Sequence, residues 1–147
     1  MFRNTRVAQK PTNGDCKTLP PPEAAPASAS RTLRPGGYQV RAFVDDVTSE
    51  HVVAISDDMG EICLEGVSLT FAEATRRVFR IRPERPGSAA VEAETSCAFR
   101  RKDWAAGTVV RGRVVGVGST LKAHHRIEAT EGDRIVFARE WDSQLPK

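Results

Sequence analysis

Serines beside glycines, a histidine pair, paired aspartates, a basic triplet and three cysteines are the groups in this 147-residue chain with chemistry to offer. A serine hydrolase holds its nucleophile on a sharp turn, usually Gly-x-Ser-x-Gly. Gly66-Val67-Ser68-Leu69-Thr70 and Gly116-Val117-Gly118-Ser119-Thr120 both break that pattern, so Ser68 and Ser119 read as turn residues. His124 and His125 are neighbours in an alternating segment. Adjacent strand residues point to opposite faces, so the two cannot chelate one metal simply. His125 is expected to face the core and His124 the solvent; His51 stands alone. Asp45-Asp46 and Asp57-Asp58 lie at strand ends or turns, where aspartate caps backbone amides. Cys16, Cys63 and Cys97 form no Cys-x-x-Cys pair, which removes a metal knuckle or redox dithiol. Arg100-Arg101-Lys102 beside Trp104 reads as a solvated turn, and no phosphate-binding glycine loop is present. No catalytic, cofactor-binding or metal-binding residue is assigned from these groups.

The hydropathy pattern around these groups is that of strands. In YQVRAFVDDV, Tyr38, Val40, Ala42 and Val44 alternate with polar or mixed residues. HVVAISDD and EICLEGVSL are two further β-prone runs, parted by a turn-like Asp57-Asp58-Met59-Gly60. FAEATRRVFRIRPERP admits a helical turn in its first half, but Val78, Phe79 and Ile81 before Pro83 favour a strand ended by proline. Val91, Ala93, Thr95, Cys97 and Phe99 share one face of the next run, against Glu92, Glu94 and Ser96 on the other. GTVVRGRVVGVGS carries valines on both faces and is expected to be covered on both sides. Leu121, Ala123, His125, Ile127 and Ala129 alternate with Lys122, His124, Arg126 and Glu128, and Glu131-Gly132-Asp133-Arg134 turns the chain into IVFAREWD. Seven or eight strands with short turns predict an all-β fold, an antiparallel β-sandwich of jelly-roll-like form.

Composition bounds what such a fold can do. Residues 1–37 hold six of the nine prolines and carry a net charge of +4, from Arg3, Arg6, Lys10, Lys17, Arg31 and Arg34 against Asp15 and Glu23. Proline, alanine and serine without apolar periodicity cannot offset ordering entropy, which predicts a disordered arm or linker over 1–37. The sandwich domain then spans 38–147, beginning near Tyr38, and is long enough to bury a core without disulfides. It carries 16 basic and 17 acidic side chains, a net of −1, and offers nucleic acid no basic excess. No apolar run approaches membrane-spanning length and no secretory h-region opens the chain, so no membrane partner is expected and the cytoplasm is the default compartment.

The closing EATEGDRIVFAREWDSQLPK resembles the end of the C-terminal domain of CocE/NonD-type hydrolases, the superfamily of Xaa-Pro dipeptidyl-peptidase and cocaine esterase. Upstream, VFRIRPERPGSAAVEAETSCAFRRKDW is similar to a run of the same family at Ile81, Pro83, Pro86, Ser88, Ala89, Arg101, Asp103 and Trp104, and departs from it at Arg85 and Gly87. The likeness spans about Arg34 to Lys147, and implies that the chain ends where these hydrolases end. In that family the nucleophile, acid and histidine come from an α/β-hydrolase body, whose motifs this chain lacks, so no catalytic residue is carried over. The resemblance implies a non-catalytic module related to these hydrolases, partnered by a hydrolase catalytic chain or by itself. An independent β-sandwich binding module for a carbohydrate or other small ligand is the alternative. Trp104, Trp141, Asp103, Phe137 and Gly132 are the candidate structural or contact residues. Trp141 is expected to anchor the last hairpin, on one face with Ile135, Phe137 and Arg139.

Overall fold

The computed structural model describes residues 28–146. Eight strands account for almost all of them: β1 (Ser30–Arg34), β2 (Gly37–Asp45), β3 (Glu50–Leu64), β4 (Leu69–Arg82), β5 (Arg85–Arg101), β6 (Trp104–Val117), β7 (Thr120–Glu131) and β8 (Arg134–Pro146). A single 3₁₀ turn, Glu65–Val67, joins β3 to β4. Every strand pairing is antiparallel, and from β3 to β8 each strand pairs with the next in the chain. The all-β, antiparallel expectation is met. A jelly roll routes its strands between two facing sheets; here the strands stay in one sheet and follow one another hairpin by hairpin.

The reason lies in the turns, which are short enough to return each strand directly onto its predecessor. Gly118 and Gly132 take positive φ, 58° and 57°, in the first positions of two-residue loops. Lys102 takes the same conformation, at 52°, in the loop Lys102-Asp103. Pro83 ends β4 as its lack of an N–H predicts, so FAEATRRVFRIR is strand throughout.

Two sequence readings are corrected at the opposite edge. Asp57-Asp58-Met59-Gly60 is not a turn between two strands; β3 runs through it with a bulge, where the register with β4 shifts between Asp58 and Glu61. The sheet also begins at Ser30 rather than near Tyr38. β2 pairs with Glu50–Asp58 and β1 with Glu61–Leu64, so both lie along one side of β3. A bidentate pair from Arg34 to Asp58, at 2.5 and 2.9 Å, clamps the junction, and Asp58 also accepts the Gly60 N–H at 2.7 Å. The rest of the expected arm, 1–27 with Cys16, lies outside the described residues.

Burial is sparse. Val52, Val78 and Ala123 are the only buried apolar residues described, in place of the core the length would allow. The cause is architectural: one sheet without a second layer leaves both faces open. Val110 and Val117, expected to be covered, are 39% and 47% exposed. No described helix is long and apolar enough to cross a membrane.

Candidate functional site

Strand register sorts the side chains into two unlike faces. One face carries Val40 and Ala42 of β2, Val53 and Ile55 of β3, Phe71 and Phe79 of β4, Val91, Ala93 and Phe99 of β5, Val110 and Val114 of β6, Ile127 of β7 and Phe137 and Trp141 of β8, each aligned with its neighbour by the pairing. Asp57, Glu73, Arg77, Arg101, Glu131 and Arg139 interrupt it. A shallow groove of about 370 Å³ on this face is lined by His51, Val53, Phe79, Ile81, Val91, Val114 and Leu121, among others. Phe71 and Phe99 meet across β4 and β5 with ring centroids 5.2 Å apart. Tyr38, Val44, Phe79, Phe137 and Leu145 are all exposed.

The other face is charged and built in rows. Arg76, Glu94, Arg111, Arg126 and Glu140 stand opposite one another in turn from β4 to β8, and Glu92, Arg113, His124 and Asp142 form a parallel row from β5 to β8. Arg80 donates to Glu92 at 3.1 Å, and Arg113 approaches the other oxygen of the same carboxylate at 3.4 Å. Arg111 donates to Glu94 at 2.6 Å and to Glu128 at 3.3 Å, and Arg126 donates to Glu128 at 2.5 Å. Hydrogen bonding from Arg126 holds the Glu128 carboxyl below the usual carboxylate range. His124 lies 3.0 Å from Asp142 and 3.4 Å from Glu140. A groove of about 390 Å³ opens over these rows, floored by Val78 and lined by Arg76, Arg80, Arg111, Arg113 and Arg126 with Glu92 and Glu94.

The residues singled out in the sequence are scattered by this fold. Trp104 starts β6 on the apolar face, paired with Arg101 and 45% exposed, while Asp103 sits in the turn before it. Gly132 makes the β7–β8 turn and donates its N–H to the Ala105 carbonyl at 2.8 Å. Phe137 and Trp141 project from the exposed edge strand β8. Trp141 is not the buried anchor expected of it: it is 39% exposed, stacked on His125 at 5.3 Å with the Arg139 guanidinium 5.7 Å from its ring centre. Ile135 does not continue its row, because a register shift in β8 sets Ile135 opposite Thr130 and Phe137 opposite Ala129.

As expected of turn acids, Asp45 accepts the N–H groups of Val47 and Thr48, at 2.9 and 3.0 Å. His124 and His125 fall on opposite faces, and no group of three metal-ligating side chains occurs among the described residues. Neither the Ser68 nor the Ser119 hydroxyl has a hydrogen bond to a histidine. Burial, and after it Glu73, raises the Cys97 thiol, so that thiol is no ready nucleophile. Sequence reasoning missed the arginine rows. Arg76 and Arg111 are 35 residues apart, and only the strand register brings them to one groove. No protein family, curated protein or solved structure was found to match the chain.

Proposed function

We propose that the chain is a non-catalytic module that contributes one β layer to a larger assembly, with another polypeptide covering its apolar face. The open apolar face carries this reading. Strands spaced about 4.8 Å apart, rising about 3.3 Å per residue, give that face on the order of 1,000 Å². Ordinary monomers keep their largest apolar patch to about 300–600 Å², and a stable interface takes about 800 Å² from each partner. Residues 1–27 supply only Met1, Phe2, Val7 and Leu19 as large apolar side chains. The partner to which the C-terminal sequence points is the catalytic body of an α/β-hydrolase, whose active site the module would brace or shape. The free thiols of Cys63 and Cys97 suit the cytoplasm as its compartment. Self-association is the second reading, favoured by area: two such faces together would bury about 2,000 Å², within the range of stable dimers.

The test joins sedimentation at micromolar concentration, a hydrophobic dye, and capture of partners that react with a fluorophosphonate serine probe. A dye-binding monomer that retains a probe-reactive chain from its own cells, and loses it on Phe79→Asp, supports the hydrolase reading. A dimer that excludes dye supports the second copy. A monomer that excludes dye and retains no probe-reactive chain overturns both.

A further inference from the structure

The charged face, opposite the proposed docking surface, holds an unbalanced cluster. Five arginines and two glutamates line its groove of about 390 Å³, and with Glu128 and Glu140 beside them the formal excess is one positive charge. The imbalance has a specific geometry. Glu94 stands directly between Arg76 on β4 and Arg111 on β6 in the register, but its hydrogen bond goes to Arg111 at 2.6 Å. Arg76 is left without an ion-pair partner among the described residues, exposed at the rim of the groove. Across β6 and β7, Arg111 and Arg126 are direct cross-strand partners, an arrangement of like charges that destabilises a sheet unless something neutralises it. Glu128 alone bridges those two, at 3.3 and 2.5 Å.

We propose that this groove is a binding site for a small molecule carrying two or more oxyanion groups, phosphate or carboxylate. Guanidinium groups present planar forks that match both groups bidentately. One anion would seat against Arg76, and a second against the Arg111–Arg126 pair. Those positions lie on β4, β6 and β7, a span of about 10–15 Å across the strands. A single inorganic phosphate is too short to serve both ends, so valency is part of the recognition. Val78, 8% exposed, forms the floor of the groove. The site is independent of the proposal for the apolar face, so either can fail alone.

Titration calorimetry of the full chain at low salt, with inorganic tetrapolyphosphate and sebacate as probes and inorganic phosphate as the short control, tests the site. At least one of the two longer anions should bind saturably, about tenfold or more tighter than phosphate. Tetrapolyphosphate preference would assign phosphate ligands, and sebacate preference carboxylates. Arg76→Gln breaks no ion pair, so it should leave thermal stability unchanged while weakening binding about tenfold. Arg126→Gln should weaken it comparably, and Arg101→Gln, on the opposite face, less than about twofold. No saturable binding to about 10 mM of either probe overturns the proposal. Equal weakening by Arg101→Gln and Arg76→Gln also overturns it, because the attraction would then be one of net charge only.

Discussion

Lys102 and Asp58 show what individual side chains do to this sheet. Lys102 adopts φ 52°, a left-handed conformation that glycine takes freely and a side chain with a Cβ does not. Lys102→Gly should therefore stabilise the chain by about 1 kcal/mol, read as a higher urea midpoint with an unchanged slope. The hydrogen bond from Arg34, and after it the Gly60 N–H, holds the Asp58 carboxyl below the ordinary carboxylate range. A carboxyl with a depressed folded pKa stabilises above its unfolded value and loses that contribution as the pH falls through the folded one. Asp58→Asn should accordingly be less stable than the parent at neutral pH. The difference should shrink below about pH 4 and vanish once both proteins carry a neutral side chain. A gap that persists at acid pH would assign the effect to packing instead of charge.

At the scale of elements, Gly60 decides whether β1 can join the sheet. It sits in the β3 bulge at φ +79°, and an added Cβ would lie 2.3 Å from the Arg34 carbonyl oxygen. Gly60→Ala should cost about 2 kcal/mol or more and release Ser30–Arg34 to trypsin. Gly118→Ala, in a turn with nothing near the new methyl, should cost only about 1 kcal/mol. These two glycines also mark what was legible in the sequence. Period-two alternation located β2, β5 and β7, because side chains on opposite faces meet different surroundings, whereas β4 was legible only from Val78, Phe79 and Ile81 before Pro83. Asp57-Asp58-Met59-Gly60 carries the residues of a turn, and composition alone cannot tell a turn from a bulge that keeps the strand going. The arginine groove was hidden for a related reason. A net charge of −1 over residues 38–147 says nothing of position, and only register shows that Arg76, Arg111 and Arg126 share one row. Trp141 was misjudged because period two cannot say whether a face has anything to pack against.

For the molecule as a whole, the decisive feature is that each strand makes its substantial contacts only with strands beside it in the sheet. Stability then resembles that of a stacked array: a sum of intrinsic strand terms and nearest-neighbour couplings, without the all-or-none character of a shared core. Such a chain melts from its ends. β8 is exposed along its whole length and joined to β7 alone, so it is the first to open. β4, β5 and β6, each flanked on both sides, should hold longest. Amide hydrogen exchange should therefore run as a gradient, fastest in β8 and the β1–β2 edge and slowest near β5, with no common plateau of protection. Uniform protection across all eight strands would mean that the sheet is locked by a second layer in solution. Covering the apolar face would convert the gradient into a single cooperative transition, so a partner would be detected as a change in how the protein unfolds before any contact with it is mapped.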